Sequence, residues 1–145
     1  MLRRSLISLA ILLGTAGAAL GEDEIIRQRA QIMRQNARSE QIANQLILGK
    51  FFPDKATGAM QSLQANMTAF VKLYPGDGPA DGDRASPVIW SDRADFEAQA
   101  TGLLEAAKAA ESVVPEGQRA FSIAWQQVAG RCRACHSKFA PAAMR

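Results

Sequence analysis

The residues best suited to chemistry lie close to the C-terminus, in the run Cys132-Arg133-Ala134-Cys135-His136. This run holds both cysteines and the only histidine of the 145-residue sequence. Cys-x-x-Cys-His is the attachment motif of a c-type haem, in which two thiols bond to the porphyrin and the adjacent imidazole coordinates the iron. In a helix, positions three and four residues apart share one face, so the three side chains would lie together. The motif therefore predicts one covalently bound haem c.

Three other uses of the two cysteines compete with haem attachment. They could form a short-loop disulfide or a redox-active Cys-x-x-Cys pair, although the βαβ pattern expected near such a pair is not found. They could also bind zinc, but a structural zinc site needs four ligands and this sequence offers three soft ones. An export signal at the other end of the chain favours haem, because it places the protein outside the cytoplasm.

The N-terminus has the features of a secretory signal peptide. Arg3 and Arg4 precede an apolar run over residues 6–13, and small residues follow as far as position 21. The apolar run is too short to be expected to span a bilayer, and no later stretch is long enough to do so. We therefore expect residues 1–21 to be cleaved, near position 18 or 21, and residues 22–145 to form a single periplasmic domain without a membrane span.

The charge of the mature chain excludes one class of partner. The whole sequence has 17 Lys and Arg against 14 Asp and Glu, but residues 1–21 contain two of the basic residues and none of the acidic ones. The expected mature chain is therefore almost neutral. No cluster of Lys and Arg of the kind that binds phosphates is present, so we expect no nucleic-acid partner.

Apolar periodicity predicts four helices and no strands. The predicted helices run from Glu22 to Leu48, from Pro53 to a point before Pro75, from Ser91 or Asp92 to Val114, and from Pro115 to a point before Pro141. Acidic residues at 22–24 suit the positive N-terminal end of the first helix, and Gly49 is expected to end it. Pro53 and Pro115 suit the first turns of the second and fourth helices.

Each predicted helix has a face that is expected to point inward. In the first two helices these residues are Ile25, Arg29, Ile32, Met33, Asn36 and Ala37, then Ala56, Ala59, Met60, Leu63, Met67, Phe70 and Val71. In the last two they are Phe96, Ala100, Leu103, Leu104, Ala107 and Val114, then Phe121, Trp125, Val128, Cys132, Cys135, His136 and Phe139. Met60, Met67, Trp90 and Trp125 are interpreted as core residues. The pattern predicts an all-α, antiparallel four-helix bundle with its cofactor in the core near the C-terminal helix.

A haem motif at the C-terminal end of four helices resembles the class II c-type cytochromes, which comprise the cytochromes c′ and their low-spin relatives. The resemblance covers essentially the whole mature chain. It includes the stretch 29–33, which matches an Arg-x-x-x-Leu/Met element of the first helix. It also includes Gly49-Lys50 at the family's spacing and the stretch 87–92, which resembles the entry to the third helix.

The resemblance implies a role for each site residue. Cys132 and Cys135 bind the haem covalently, and His136 is the proximal iron ligand. Arg29 matches the position that pairs with a haem propionate, and a guanidinium suits a carboxylate through paired, charge-assisted hydrogen bonds. Met33 matches the distal position, where it is either the sixth iron ligand or a flexible core residue.

These roles imply a periplasmic electron carrier with redox partner proteins, and not an enzyme, since the only histidine is used as a ligand. The alternative is a five-coordinate, high-spin cytochrome c′ that binds nitric oxide or carbon monoxide. Members of the family often form homodimers, which is one expectation for this chain. The family commonly has an arginine four residues after the haem histidine, whereas this sequence has Ala140, so no role of that arginine is expected here.

Overall fold

A computed structural model describes residues 21–76, 78–79 and 85–144, so the predicted signal peptide lies almost entirely outside the described residues. The described residues form α-helices and short 3-10 segments, with no strand among them. The helices are α1 (Glu22–Leu48), α2 (Pro53–Phe70), α3 (Val88–Ser91), α4 (Arg93–Ser112) and α5 (Gln118–Phe139). In these ranges no helix has the length and apolar character needed to cross a membrane. The predicted all-α fold is confirmed.

The four long helices form a bundle in which neighbouring helices are antiparallel. Arg93, at the start of α4, donates a hydrogen bond of 2.7 Å to the carbonyl oxygen of Tyr74, just beyond the end of α2. Gln118, at the start of α5, donates to the carbonyl oxygens of Leu46 (2.8 Å) and Gly49 (2.9 Å) at the end of α1. The start of one helix therefore lies beside the end of its neighbour, which is the predicted up-and-down arrangement.

The helix boundaries agree with the sequence at two glycine and proline signals. Gly49 follows the last residue of α1, and its N–H donates to the carbonyl oxygen of Gln45 at 2.9 Å. Pro53 is the first residue of α2, where its missing N–H is not needed by the helix. Gly49 and Pro53 therefore correctly predict the position of the turn between α1 and α2.

The prediction that Pro115 opens the last helix is wrong. Pro115 lies in a separate 3-10 turn, Val114–Glu116, which also takes Val114 out of the preceding helix. Gly117 follows with φ of 98°, a left-handed conformation that suits glycine and interrupts the helical path. Helix α5 therefore begins at Gln118, whose side chain is placed to reach the end of α1.

The entry to the third long helix also differs from the prediction. A short helix, α3, comes before α4, and Asp92 separates them with non-helical dihedrals. Of the two predicted candidates, Ser91 and Asp92, it is Asp92 that occupies the N-cap position of α4. Its carboxylate, however, makes no capping hydrogen bond. Lys138 of α5 binds that carboxylate instead at 2.5 Å. A contact between helices has replaced the expected local one.

Burial confirms the inward faces of α2, α4 and α5 but only part of that of α1. The buried core residues of α2, α4 and α5 include Ala56, Met60, Leu63, Met67, Phe70, Phe96, Ala100, Leu103, Ala107, Phe121, Trp125, Val128 and Phe139. In α1 the buried residues are Arg29, Ser39, Ala43 and Leu46, whereas Met33 and Asn36 are half-buried and Ala37 is exposed. Trp90 is half-buried and packs against the core. The N-terminal half of α1 borders a cavity.

Replacing Gln118 with alanine is expected to lower the free energy of unfolding by about 1–2 kcal/mol, because carbonyl groups at the end of α1 lose their shared donor. Denaturant unfolding of the purified protein measures this change. Gln127→Ala is the control, since Gln127 is an exposed glutamine on the same helix. Equal stabilities of the two variants would show that the Gln118 amide does not support the bundle.

Candidate functional site

A cavity of about 420 Å³ opens at the end of the bundle where α1 begins and α5 ends. This volume falls in the range of about 300–1,000 Å³ that is usual for cofactor sites. The residues that line it are Ile26, Arg29, Ala30, Met33, Asn36, Ala37, Glu40, Leu63, Met67, Phe70, Tyr74, Ala85, Ile89, Phe96, Ala100, Leu103, Trp125, Cys132, Cys135, His136, Phe139 and Ala140. All five residues singled out in the sequence are among them, although they come from opposite ends of the chain.

The α5 wall carries the thiols and the imidazole. Cys132, Cys135 and His136 are half-buried and follow the buried residues Trp125 and Val128 on the same face of the helix. Both cysteines are free thiols in the structure. The inward stripe of α5 therefore changes along its length from core packing to cavity lining, which brings the haem motif to the apolar interior.

The protein environment makes both thiols weak acids. Burial raises the pKa of Cys132 to about 11, and the negative charge of Glu40 acts in the same direction. Burial also raises the pKa of Cys135, with a smaller effect from the charge of Asp95. Since the thiolate is the nucleophile, the raised pKa values lower the reactive fraction of both cysteines at neutral pH in the folded chain.

The α1 wall holds a buried cation at one end. Arg29 is 9% exposed, its Nε donates to the carbonyl oxygen of Leu73 at 2.6 Å, and its Cζ lies 3.9 Å from the centroid of the Tyr74 ring. Stacking on an aromatic ring and a short hydrogen bond together hold the guanidinium at the cavity wall. A buried positive charge favours an anionic group beside it, so this wall suits a carboxylate.

Two thioethers line the cavity, one on each of the first two helices. Met33 of α1 is half-buried, and Met67 of α2 is 4% exposed. The sulfur of Met67 accepts a hydrogen bond from Nδ2 of Asn36 at 3.6 Å, and Oδ1 of Asn36 accepts one from Nδ2 of Asn66 at 2.8 Å. Sequence reasoning placed Asn36 on the inward face but gave it no chemical role. An amide on an otherwise apolar face was the available signal.

Glu40 is a further cavity residue that sequence reasoning missed. It is exposed and lies one helical turn beyond Asn36 on α1, and its charge is felt by the Cys132 thiol. Nothing in its local sequence distinguishes it from the other charged residues of the helix. Only the packing of α1 across from α5 places its carboxylate near the cysteine.

Aromatic rings close the base of the cavity. The ring centroids of Tyr74 and Phe96 are 4.9 Å apart, and those of Phe96 and Phe139 are 5.3 Å apart, both in edge-to-face geometry. Phe70 and Trp90 also pack against Tyr74, with centroids 5.2 Å and 5.7 Å from it. These contacts join α2, α3, α4 and α5 beside the site and give it a rigid apolar floor.

A charged clamp fixes the last turn of α5, which carries His136. Lys138 donates to carboxylate oxygens of Asp92, the N-cap of α4, at 2.5 Å and of Asp95, in the first turn of α4, at 2.7 Å. These hydrogen bonds raise the pKa of Lys138, and the bond from Lys138 lowers the pKa of Asp95. The clamp joins the C-terminal end of α5, which carries His136, to the N-terminal end of α4.

Comparison with known proteins agrees with this geometry. The family model described as Cytochrome C′ matches residues 24–140. The chain is 27% identical to a cytochrome c′ of Rhodopseudomonas palustris over 95% of both chains. It is 25% identical to cytochrome c-556 of the same organism, over 96% of this chain and 97% of the relative.

A crystal structure of cytochrome c′ from Thermochromatium tepidum superposes on the fold with a TM-score of 0.76. That alignment covers 84% of this chain and 98% of the other, at 23% sequence identity. An apolar cavity with two thiols, an imidazole, thioethers and a buried arginine fits the haem c that this family carries. The chain therefore belongs to the cytochrome c′ family, the class II c-type cytochromes with one covalently bound haem c.

Proposed function

We propose that this family member is an exported electron carrier whose haem iron is bound axially by His136 and Met33. The observation that carries the proposal is the convergence of an imidazole from α5 and a thioether from α1 on one cavity. The two helices are antiparallel neighbours, so the ends that carry these residues lie together. If both residues bound the iron, no coordination position would stay open for a substrate.

When bound in this site, haem supplies one-electron chemistry, and histidine and methionine ligands raise its reduction potential towards values useful for electron transfer. His136 contributes a neutral imidazole nitrogen, while Met33 contributes a polarisable sulfur that carries no charge. Since the sequence has no second histidine, it offers no imidazole acid or base beside the ligand pair. The proposal is therefore of a carrier and not of an enzyme.

The remaining residues of the site have supporting roles in this proposal. Cys132 and Cys135 hold the porphyrin by thioether bonds, and Arg29 binds a propionate. The Leu73 carbonyl and the Tyr74 ring keep the guanidinium of Arg29 in place for that contact. The mostly apolar walls and the aromatic floor would give the haem a largely non-polar environment.

The thiol chemistry also bears on when the cofactor is attached. Because burial raises the pKa of both cysteines, they are better nucleophiles in an unfolded chain than in the folded one. We propose that the chain is exported through its signal peptide, residues 1–21, and receives its haem in the periplasm before it folds. Folding then buries the bonded sulfur atoms in an environment that would disfavour a negatively charged thiolate.

A haem-free Cys135→Ser variant is expected to react with a maleimide at Cys132 about a hundredfold more slowly when folded than in denaturant, both at pH 8. The raised pKa lowers the thiolate fraction, so the folded rate should rise about tenfold per pH unit up to about pH 11. Stopped-flow labelling measures both rates. A folded rate equal to that in denaturant would contradict the burial argument, and circular dichroism is the control for folding.

Mass spectrometry of the exported protein is expected to show the mature chain plus the mass of one haem, retained after denaturation. Replacing both Cys132 and Cys135 with serine should abolish this added mass, because no thioether bond can form. A mature chain without the added mass, or one with a disulfide between the two cysteines, would contradict the proposed covalent attachment of haem. The N-terminal peptide identifies the cleavage site in the same measurement, and we expect it to begin at residue 19 or 22.

Replacing Met33 with alanine is expected to change the ferrous optical spectrum from the sharp, split bands of low-spin haem to the broad band of high-spin haem. Removal of the sulfur leaves the iron five-coordinate, so carbon monoxide should then bind readily. Met60→Leu is the control, since Met60 is fully buried and does not line the cavity.

Two results would change the assignment. A wild-type spectrum that is already high-spin would favour the alternative function, a cytochrome c′ that binds nitric oxide or carbon monoxide. A wild-type spectrum that is low-spin and is lost in Met67→Ala rather than in Met33→Ala would make the α2 thioether the ligand. Both methionines line the cavity, so the spectra of these variants distinguish them.

A further inference from the structure

Three side chains form a hydrogen-bonded relay across the wall made by α1 and α2. Asn66 donates through Nδ2 to Oδ1 of Asn36 at 2.8 Å, and Asn36 donates through Nδ2 to the sulfur of Met67 at 3.6 Å. Asn36 and Met67 line the cavity, whereas Asn66 stands behind them on α2. An amide is thus built into a wall that is otherwise mostly apolar.

The relay determines which end of the Asn36 amide faces the cavity. The bond from Asn66 occupies the carbonyl oxygen of Asn36, so the NH₂ group is the end directed at Met67, which lines the cavity. That neighbour is a thioether, which is a weak acceptor. A donor engaged only with a weak acceptor can exchange it for a stronger one at little cost. The NH₂ group of Asn36 is therefore an oriented donor that a stronger acceptor in the cavity could take from Met67.

The position of this donor matters because of its distance along α1 from Met33. Asn36 lies three residues after Met33, and residues at this spacing are neighbours on a helix surface, about 5–6 Å apart at Cβ. Met33 is the residue that faces the sixth coordination position in the proposed function. The amide N–H of Asn36 therefore belongs to the same side of the cofactor as any ligand that takes the place of Met33.

We propose that Asn36 is a specificity-determining residue that donates a hydrogen bond to a diatomic molecule bound at the sixth position of the iron. The ligands it favours are diatomic molecules that carry negative charge on their outer atom when bound, because a charge-bearing acceptor makes the stronger hydrogen bond. Asn66 is a positioning residue that keeps the amide in the donating orientation. The inference requires the Met33 side to be the distal one but not that Met33 itself binds the iron.

The test uses carbon monoxide as the probe on the ferrous holoprotein, with Met33→Ala in every sample. This background leaves the sixth position open whether or not Met33 is a ligand in the wild type. Infrared spectroscopy measures the C–O stretching frequency, which falls when a donor contacts the bound molecule. Flash photolysis and ligand replacement measure its rebinding and dissociation.

Adding Asn36→Leu is expected to raise the C–O frequency and to speed dissociation roughly two- to tenfold, the value of one hydrogen bond. Adding Asn66→Leu should raise the frequency by a smaller amount, because the amide stays but loses its orientation. Adding Met67→Leu is the matched control: it removes the competing acceptor and keeps the donor, so the frequency should stay level or fall.

An unchanged frequency in the Asn36→Leu sample would overturn the inference. If the Asn36→Leu variant does not load haem, the Asn66→Leu sample is the test, since it leaves α1 intact. An unchanged C–O frequency in that sample would also overturn the inference. The inference would also be overturned if Met67→Leu raised the C–O frequency as much as Asn36→Leu does. The frequency would then depend on side-chain packing around the ligand and not on the Asn36 donor. The spin state of Met33→Ala alone reports separately on the proposed axial ligand.

Discussion

The structure depends on an apolar cavity that the helices surround but do not fill. At one end of the bundle, side chains such as Phe121, Met60 and Val128 are fully or almost fully buried and pack against each other. At the other end, the same faces border about 420 Å³ of space. Apolar side chains that border this space have no protein partners on that side, so a flat apolar group that fills it adds contacts to the core. The haem is therefore a part of the core as well as a redox group.

The ends of the helices hold the walls of this cavity in register. Gln118 ties the start of α5 to the end of α1, and Arg93 ties the start of α4 to the end of α2. Lys138 completes the set by joining the last turn of α5 to the first turn of α4. These contacts are polar and lie at the helix ends, so they position the walls in addition to the apolar packing of the core.

Helix α1 distributes three kinds of polarity along one wall. Arg29 provides a positive charge held against an aromatic ring, Asn36 provides an oriented donor, and Glu40 provides a negative charge near Cys132. Met33 lies between the arginine and the asparagine. Because these residues lie about one helical turn apart, α1 can place a positive charge, a hydrogen-bond donor and a negative charge beside different parts of a flat cofactor. This explains why α1 is polar on a face that faces the interior.

Much of the molecule follows from its sequence alone, because the decisive signals are local. The Cys-x-x-Cys-His run predicts haem c, apolar periodicity predicts four helices, and Gly49 and Pro53 predict the first turn. The inward residues of α2, α4 and α5 are likewise predicted, since a helix buries one face whatever its partner. The roles of the individual ligands remain predictions, although all five residues meet at one cavity.

Tertiary structure decided what depends on distance between helices. Periodicity identifies the inward face of α1 but not that half of it borders a cavity, so Met33 and Asn36 are less buried than predicted. The Asp92 carboxylate could have capped α4, but it binds Lys138 of another helix instead. The relay from Asn66 through Asn36 to Met67 joins residues about 30 positions apart, which no local pattern reveals. Local chemistry specifies the elements, whereas packing between them specifies which polar groups meet.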